Sequence, residues 1–205
     1  AAPTKVAKTE HHRALPIDDM PKFVADLRPR DGIAARALEF AILTAARSGE
    51  VRGATWDEFD LDAGMWVIPA ERMKAKKEHR VALSSKALAV LKAQKEAFPV
   101  GFVFPGMKAG KPLSDMSLTA VLRRMERHDI TVHGFRSTFR DWAAESTAYP
   151  SEMVEMALAH TIGNKVEAAY RRGDMLEKRR RLTQDWCDFC DMKMSGEVIP
   201  LRNSA

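Results

Sequence analysis

Apolar residues recur at helical spacing from residue 20 onward, where Met20, Phe23, Val24 and Leu27 share one face. Leu38, Ile42 and Ala45 repeat the spacing in the next segment, and residues 29–32, bounded by Pro29 and Gly32, separate the two helices this predicts. After Trp56 the period shortens to that of strands. Met65–Ile68 is a brief apolar run behind the turn residues Asp62-Ala63-Gly64, and residues 79–83 alternate with Val81 and Leu83 on one face. A small antiparallel hairpin is therefore predicted, and its connecting arm holds Lys74, Lys76 and Lys77.

Beyond the hairpin the helical period returns. Ser84 or Ser85 is placed to cap a helix carrying Leu88 and Leu91, and Ser114 to open another on which Leu118, Val121, Leu122 and Met125 form one stripe. From Thr131 the pattern stays helical with a break at Tyr149-Pro150, and a last long helix is expected from about Met175 to Met192. The fold class this implies is mainly α with one small antiparallel β-sheet, an α+β chain. No internal repeat or low-complexity segment interrupts it.

At 205 residues and 45% hydrophobic composition the chain can bury a sizeable core. A net charge of +5 on 30% charged residues gives a surface of both signs with a basic bias, which leans weakly towards a polyanionic partner. Cys187 and Cys190, the only cysteines, have no second pair or nearby histidine to complete a zinc site, so they are expected as buried thiols in a reducing cytoplasm. The first fifteen residues are polar and basic, unlike a signal peptide, and no run approaches the length of a membrane span. Residues 1–16 are expected to be a linker, 17–193 the main domain and 194–205 a polar tail.

Four segments offer chemistry, each with an ordinary explanation beside it. His133-Gly134-Phe135-Arg136 opens a helix whose stripe is Phe135, Phe139 and Trp142, leaving His133, Arg136 and Arg140 roughly opposite; on its own this is an amphipathic helix with a solvated face. Arg47 ends an apolar helix with Glu50 three residues on, a spacing that suits a structural ion pair. The arm around Lys74, Lys76, Lys77 and Arg80 is basic, as many solvated loops are. Ala159-His160 is followed ten residues later by Tyr170, one of only two tyrosines; the other, Tyr149, precedes a proline at a helix junction.

Taken in order, these segments resemble the tyrosine recombinase family. Ala46-Arg47-Ser48-Gly49-Glu50 resembles its first arginine box and His133-Gly134-Phe135-Arg136 its second; Ala159-His160 with Ala169-Tyr170 resembles the closing box, and Lys74 ahead of Val81-Ala82-Leu83 the hairpin lysine. Residues 164–173 and 179–190 look especially like prophage and genomic-island integrases. Ala82 departs from the family's usual proline, which should affect the stiffness of the strand and not the chemistry.

The resemblance implies the tyrosine recombinase catalytic-domain fold and DNA strand cleavage and rejoining through a 3′-phosphotyrosine at Tyr170. Arg47 and Arg136 would clamp the phosphoryl oxygens, Lys74 would protonate the departing 5′ oxygen, His133 would take the tyrosine proton or position the phosphate, and His160 would hydrogen-bond a phosphoryl oxygen. Glu50 would hold Arg47 or His133 in place, and Lys76, Lys77, Arg80 and Arg140 would touch DNA. No metal or cofactor is expected. The implied partners are double-stranded attachment-site DNA, a homotetramer on paired sites from a free monomer, and accessory DNA-bending or excision factors, in a bacterial cytoplasm without a membrane. Full-length relatives carry DNA-binding domains ahead of the catalytic one, for which this chain has no room. A type IB topoisomerase-like strand transferase shares the chemistry, and a catalytically silent DNA-binding module of the same fold is the other alternative.

Overall fold

The computed structural model describes residues 13–160 and 174–192. Its organising element is α2 (Ile33–Thr44), preceded by α1 (Met20–Leu27). Nine of the twelve residues of α2 are buried, so it is not a one-sided helix with a Leu38 and Ile42 stripe but the axis against which other helices pack. Glu39 is buried there too, held by Arg28 at 2.8 Å and Arg36 at 2.7 Å. Ala45, expected within the helix, instead adopts a left-handed conformation (φ 50°) and ends it.

Next come α3 (Ser48–Arg52) and a three-stranded antiparallel sheet in the order β1 (Phe59–Asp60), β2 (Met65–Ile68), β3 (His79–Ala82). The predicted hairpin is thus extended by one short strand. Gly64, at φ +61°, makes the turn into β2 in a conformation that side chains with a Cβ resist. Trp66, fully buried on β2, stacks on Phe59 with centroids 5.3 Å apart and meets Phe40 of α2 at 5.5 Å, tying sheet to helix. Pairing runs through Ala82, opposite Met65, so the departure from proline leaves β3 regular.

Among the described residues the remaining helices are α4 (Ser85–Ala97), α5 (Ser117–Arg124), α6 (Gly134–Ser146), α7 (Ser151–Ala157) and α8 (Leu176–Cys190). Ser84 caps α4, accepting from the Ala87 amide at 3.4 Å. Ser114 does not open α5: the helix begins at Ser117, and the Ser114 hydroxyl lies 2.9 Å from that of Ser117. α8 closes the body with Trp186, whose indole N–H donates to Ile42 O at 2.9 Å. Cys187 and Cys190 are buried thiols on the same helix, and burial pushes the Cys190 thiol well up, which makes it unreactive.

Residues 13–15, assigned to the linker by sequence, pack as part of this body. Leu15 is buried, its carbonyl accepts from Thr138 at 2.7 Å, and Arg13 O accepts from the Thr131 amide at 3.0 Å. The segment passes so close to the start of α6 that a Cβ on Gly134 would lie 2.2 Å from Arg13 O. Gly134 is thus required for a backbone crossing one residue away from His133.

Candidate active site

Two left-handed residues, Ala45 after α2 and Ala159 after α7 (both φ 50°), turn the chain so that backbone carbonyls face a common cleft. An alanine in this region costs about 1–2 kcal/mol, and both lie within two residues of a proposed catalytic side chain. The C-terminal ends of helices carry partial negative charge, which suits cations. Arg136 occupies that position twice over: Nη1 donates to Ala45 O and Nη2 to Leu158 O at 2.6 Å.

Arg136 is therefore not on a solvated face. It is 4% exposed, because the ends of α2 and α7 cover the side of α6 next to the Phe135, Phe139 and Trp142 stripe. Burial and the neighbouring Arg47 charge lower its pKa to about 10, with Glu50 and Glu155 opposing the shift, so it stays cationic at neutral pH.

Arg47 is fixed from both sides. Nη1 donates to Glu50 Oε1 at 2.7 Å, the Arg47 backbone N–H donates to Glu50 Oε2 at 2.8 Å, and Nη2 lies 3.4 Å from Ala159 O. Glu50 is buried, and its own carbonyl accepts from Arg72, whose guanidinium also grips Glu58; Glu58 in turn accepts from the Trp66 indole at 2.8 Å. Arg72, which no sequence pattern singles out, thereby links the sheet to α3.

His160 Nε2 lies 3.2 Å from Arg136 Nη2, and its Nδ1 lies 2.5 Å from Glu155 Oε2. Glu155 Oε1 is 2.6 Å from Nε of Arg140. The tautomer that satisfies every contact carries its proton on Nδ1 and leaves Nε2 as the acceptor facing Arg136. Arg140, expected at the DNA, is thus paired with Glu155, although its side chain remains 61% exposed.

Met73, 2% exposed, pins the root of the arm in the core, so Lys74 leaves it at a defined point. Lys74 lines a cleft of 420 Å³ with Arg47, Glu50, His133 and Arg136, and a neighbouring one of 340 Å³ with Arg47, Ala159 and His160. His133 sits exposed at the N-cap of α6. Lys76, at φ 52° in the arm's turn, and Lys77 are exposed farther along it. Arg80 on β3 commits Nε and Nη2 to Asp174 at 2.7 and 2.6 Å.

The fold thus gathers Arg47, Glu50, Lys74, His133, Arg136 and His160, which span 114 positions of sequence, around adjoining clefts. Tyr170 lies outside the described residues. His79, not singled out as a site residue from sequence, is half-buried at the start of β3 beside α7. It hydrogen-bonds the Ala157 backbone, and burial first, then Arg179, lower its pKa to about 4. Among the described residues no group of three histidine, cysteine or acidic side chains is placed to hold a metal ion.

A chain with this fold and this cleft belongs to the phage integrase family, which matches residues 14–177. It is 34% identical over 218 aligned residues to the integrase of Enterobacteria phage P4, covering 97% of this chain and 50% of that protein. Against the prophage integrase IntA of Escherichia coli K12 it is 35% identical over 190 residues, covering 89% and 45%. The chain spans about half the length of these relatives. Solved structures share the fold: the Tn1549 transposon integrase in complex with circular intermediate DNA (TM-score 0.60, 12% identity, 85% of this chain and 66% of that one), and a lambda integrase dimer bound to a core site (TM-score 0.57, 20% identity, 83% and 63%).

Proposed function

We propose that the chain is the catalytic portion of a site-specific DNA recombinase that cleaves and rejoins strands of double-stranded DNA through Tyr170. The observation that carries this reading is the pair of guanidiniums, Arg47 and Arg136, fixed on helix ends beside Lys74, His133 and His160. Planar, permanently charged donors held without freedom to reorganise suit the charge that builds on non-bridging phosphoryl oxygens.

In this scheme the Tyr170 hydroxyl oxygen attacks the scissile phosphorus and its proton passes to His133. The bond from phosphorus to the 5′ oxygen breaks, and Lys74 Nζ supplies the proton that makes the departing oxygen a hydroxyl. Phosphate remains on Tyr170 as a 3′-phosphotyrosine, and the reverse attack by a 5′-hydroxyl of another strand rejoins DNA without an external energy source. Glu50 keeps Arg47 aimed, and Glu155 keeps the Nε2 lone pair of His160 towards Arg136, so His160 acts on the phosphate through Arg136 and has no N–H left to donate to a phosphoryl oxygen, unlike the role the resemblance implies. Tyr149 is a poor substitute for Tyr170: its hydroxyl donates to Asp185 at 2.5 Å, and burial first, then Asp185, push its pKa up to about 12.

Lys76, Lys77 and the exposed Arg140 are assigned to DNA phosphates; Arg80 offers DNA only what its ion pair with Asp174 leaves over. Two neighbours of the same fold are described bound to DNA, one as a dimer on a core site. By extension this chain is proposed to be monomeric when free and to form a tetramer on paired attachment sites. The test is incubation with a pool of nicked duplexes carrying a randomised core, in excess chelator, followed by denaturing gel analysis. A protein–DNA adduct that survives denaturant is expected; DNA bound to saturation with no adduct contradicts the proposal.

A further inference from the structure

Asp174 is the first described residue after the stretch that contains Tyr170, and it is held more firmly than a surface carboxylate at a helix start requires. Its Oδ1 accepts from Arg80 Nη2 at 2.6 Å and from the Leu176 amide at 3.2 Å; its Oδ2 accepts from Arg80 Nε at 2.7 Å and Arg179 Nη2 at 2.9 Å. Arg179, 2% exposed, spends its other nitrogens on backbone, with Nε on Asp174 O at 2.8 Å and Nη1 on Arg80 O at 2.7 Å. The Arg80 hydrogen bond, with help from the charge of Arg179, keeps the Asp174 carboxyl below the usual carboxylate range.

A buried arginine in this position is an inefficient way to stabilise a helix, because an apolar side chain of similar volume packs as well without desolvating a charge. What the arrangement does provide is a fixed direction for the chain. One wall of a 490 Å³ cavity carries Arg80, Asp174 and Arg179, and the same cavity is lined by Ala159, His160 and His79. His160 and Asp174, the residues that bracket positions 161–173, thus share one cavity, and His160 is itself bound to Arg136. Tyr170 is only four residues before Asp174 in the sequence.

We propose that the Arg80–Asp174–Arg179 cluster is a positioning anchor that fixes to β3 the chain end from which Tyr170 is presented to the phosphate. β3 follows directly on the Lys74 arm, so the anchor ties the nucleophile's tether and the general acid's tether to the same strand. This rests on Tyr170 being the nucleophile. The three residues touch no reacting atom; they act by restricting where Tyr170 can be.

The test compares the parent chain, Asp174→Asn, a variant with two glycines inserted between Gly173 and Asp174, and the combination, all on one nicked duplex. Measured are the single-turnover cleavage rate at saturating protein, DNA affinity, melting temperature and the residue carrying the adduct. Asp174→Asn is expected to slow cleavage at saturation at least tenfold with affinity not weakened, since it frees Arg80 for DNA phosphates, and a substrate with sulfur as the bridging 5′ atom should not restore it, because nucleophile delivery and not leaving-group protonation is limiting. The insertion keeps every anchor contact and is expected to slow cleavage similarly. The combination should be little slower than either alone, since both changes undo the same restriction. Parental cleavage by either single variant, with the parent's adduct mapped to Tyr170, overturns the anchor while leaving the catalytic assignment intact. Losses that multiply in the combination overturn it too, because they mark the cluster as merely structural. Should Asp174→Asn fail to fold, the insertion alone decides. A parent adduct at another residue overturns the catalytic assignment, and the anchor with it.

Discussion

Nη2 of Arg136 lies 3.2 Å from Nε2 of His160, and the opposite nitrogen of that ring lies 2.5 Å from Glu155. A carboxylate thus sets the tautomer of a histidine that faces a guanidinium, and the guanidinium is aimed by two helix-end carbonyls. Glu155→Gln removes the charge while preserving size. It should lower the cleavage rate about 10–100-fold, the usual effect of disturbing the partner that orients a functional histidine, with little change in DNA affinity. Single-turnover rates at saturating DNA check this.

Arg136→Lys keeps a positive charge but replaces a planar fork with a point donor that cannot reach Ala45 O and Leu158 O together while facing a phosphate. Cleavage should fall by about two to three orders of magnitude. The melting temperature should fall as well, because a buried carbonyl loses its partner. A variant with near-parental cleavage would show that this arginine is structural alone.

Lys74→Ala should slow cleavage of ordinary DNA strongly and recover on a substrate whose bridging 5′ oxygen is replaced by sulfur, a leaving group that needs no proton. Lys76→Ala and Lys77→Ala, farther along the arm, should instead weaken binding and reduce its salt dependence. Rescue by sulfur at Lys76 or Lys77 and not at Lys74 would mean that the arm presents a different lysine to the cleft.

His79 gives the fold a pH dependence. Its folded pKa, about 4, lies below the ordinary value of 6.5, so between these values the unfolded chain binds the extra proton. Stability is therefore greatest above about 6.5 and is lost as pH falls towards 4. Denaturant melts at pH 7.5, 6 and 5 should show this decline, and His79→Gln, which cannot take up the proton, should flatten part of it.

Most residues of the candidate site are legible in the sequence because they sit at element boundaries that leave a pattern: Arg47 after an apolar helix, Lys74 in a basic arm between two strands, His133 and Arg136 at a helix start. The burial of Arg136 is not, since the helical wheel knows only α6, whereas the ends of α2 and α7 that cover it come from 91 and 22 residues away. Ala45 and Ala159 carry no sign of their left-handed conformation, because glycine or asparagine is the usual marker and tertiary packing imposes it here. Arg72, Glu155 and Arg179 acquire their partners only on folding. α2 was underestimated for a related reason: a helix buried on nearly all sides shows no clean stripe.

Whether Tyr170 forms the covalent link to DNA is read by mapping the adduct. The parent chain, Tyr170→Phe and Tyr149→Phe are incubated with the nicked duplex pool, digested, and the DNA-bearing peptide is identified by mass spectrometry. An adduct is expected on the peptide containing Tyr170 in the parent and in Tyr149→Phe, and none in Tyr170→Phe, whose melting temperature and DNA affinity should match the parent's. A covalent adduct on any other residue, or one that persists in Tyr170→Phe, would contradict the assignment of Tyr170.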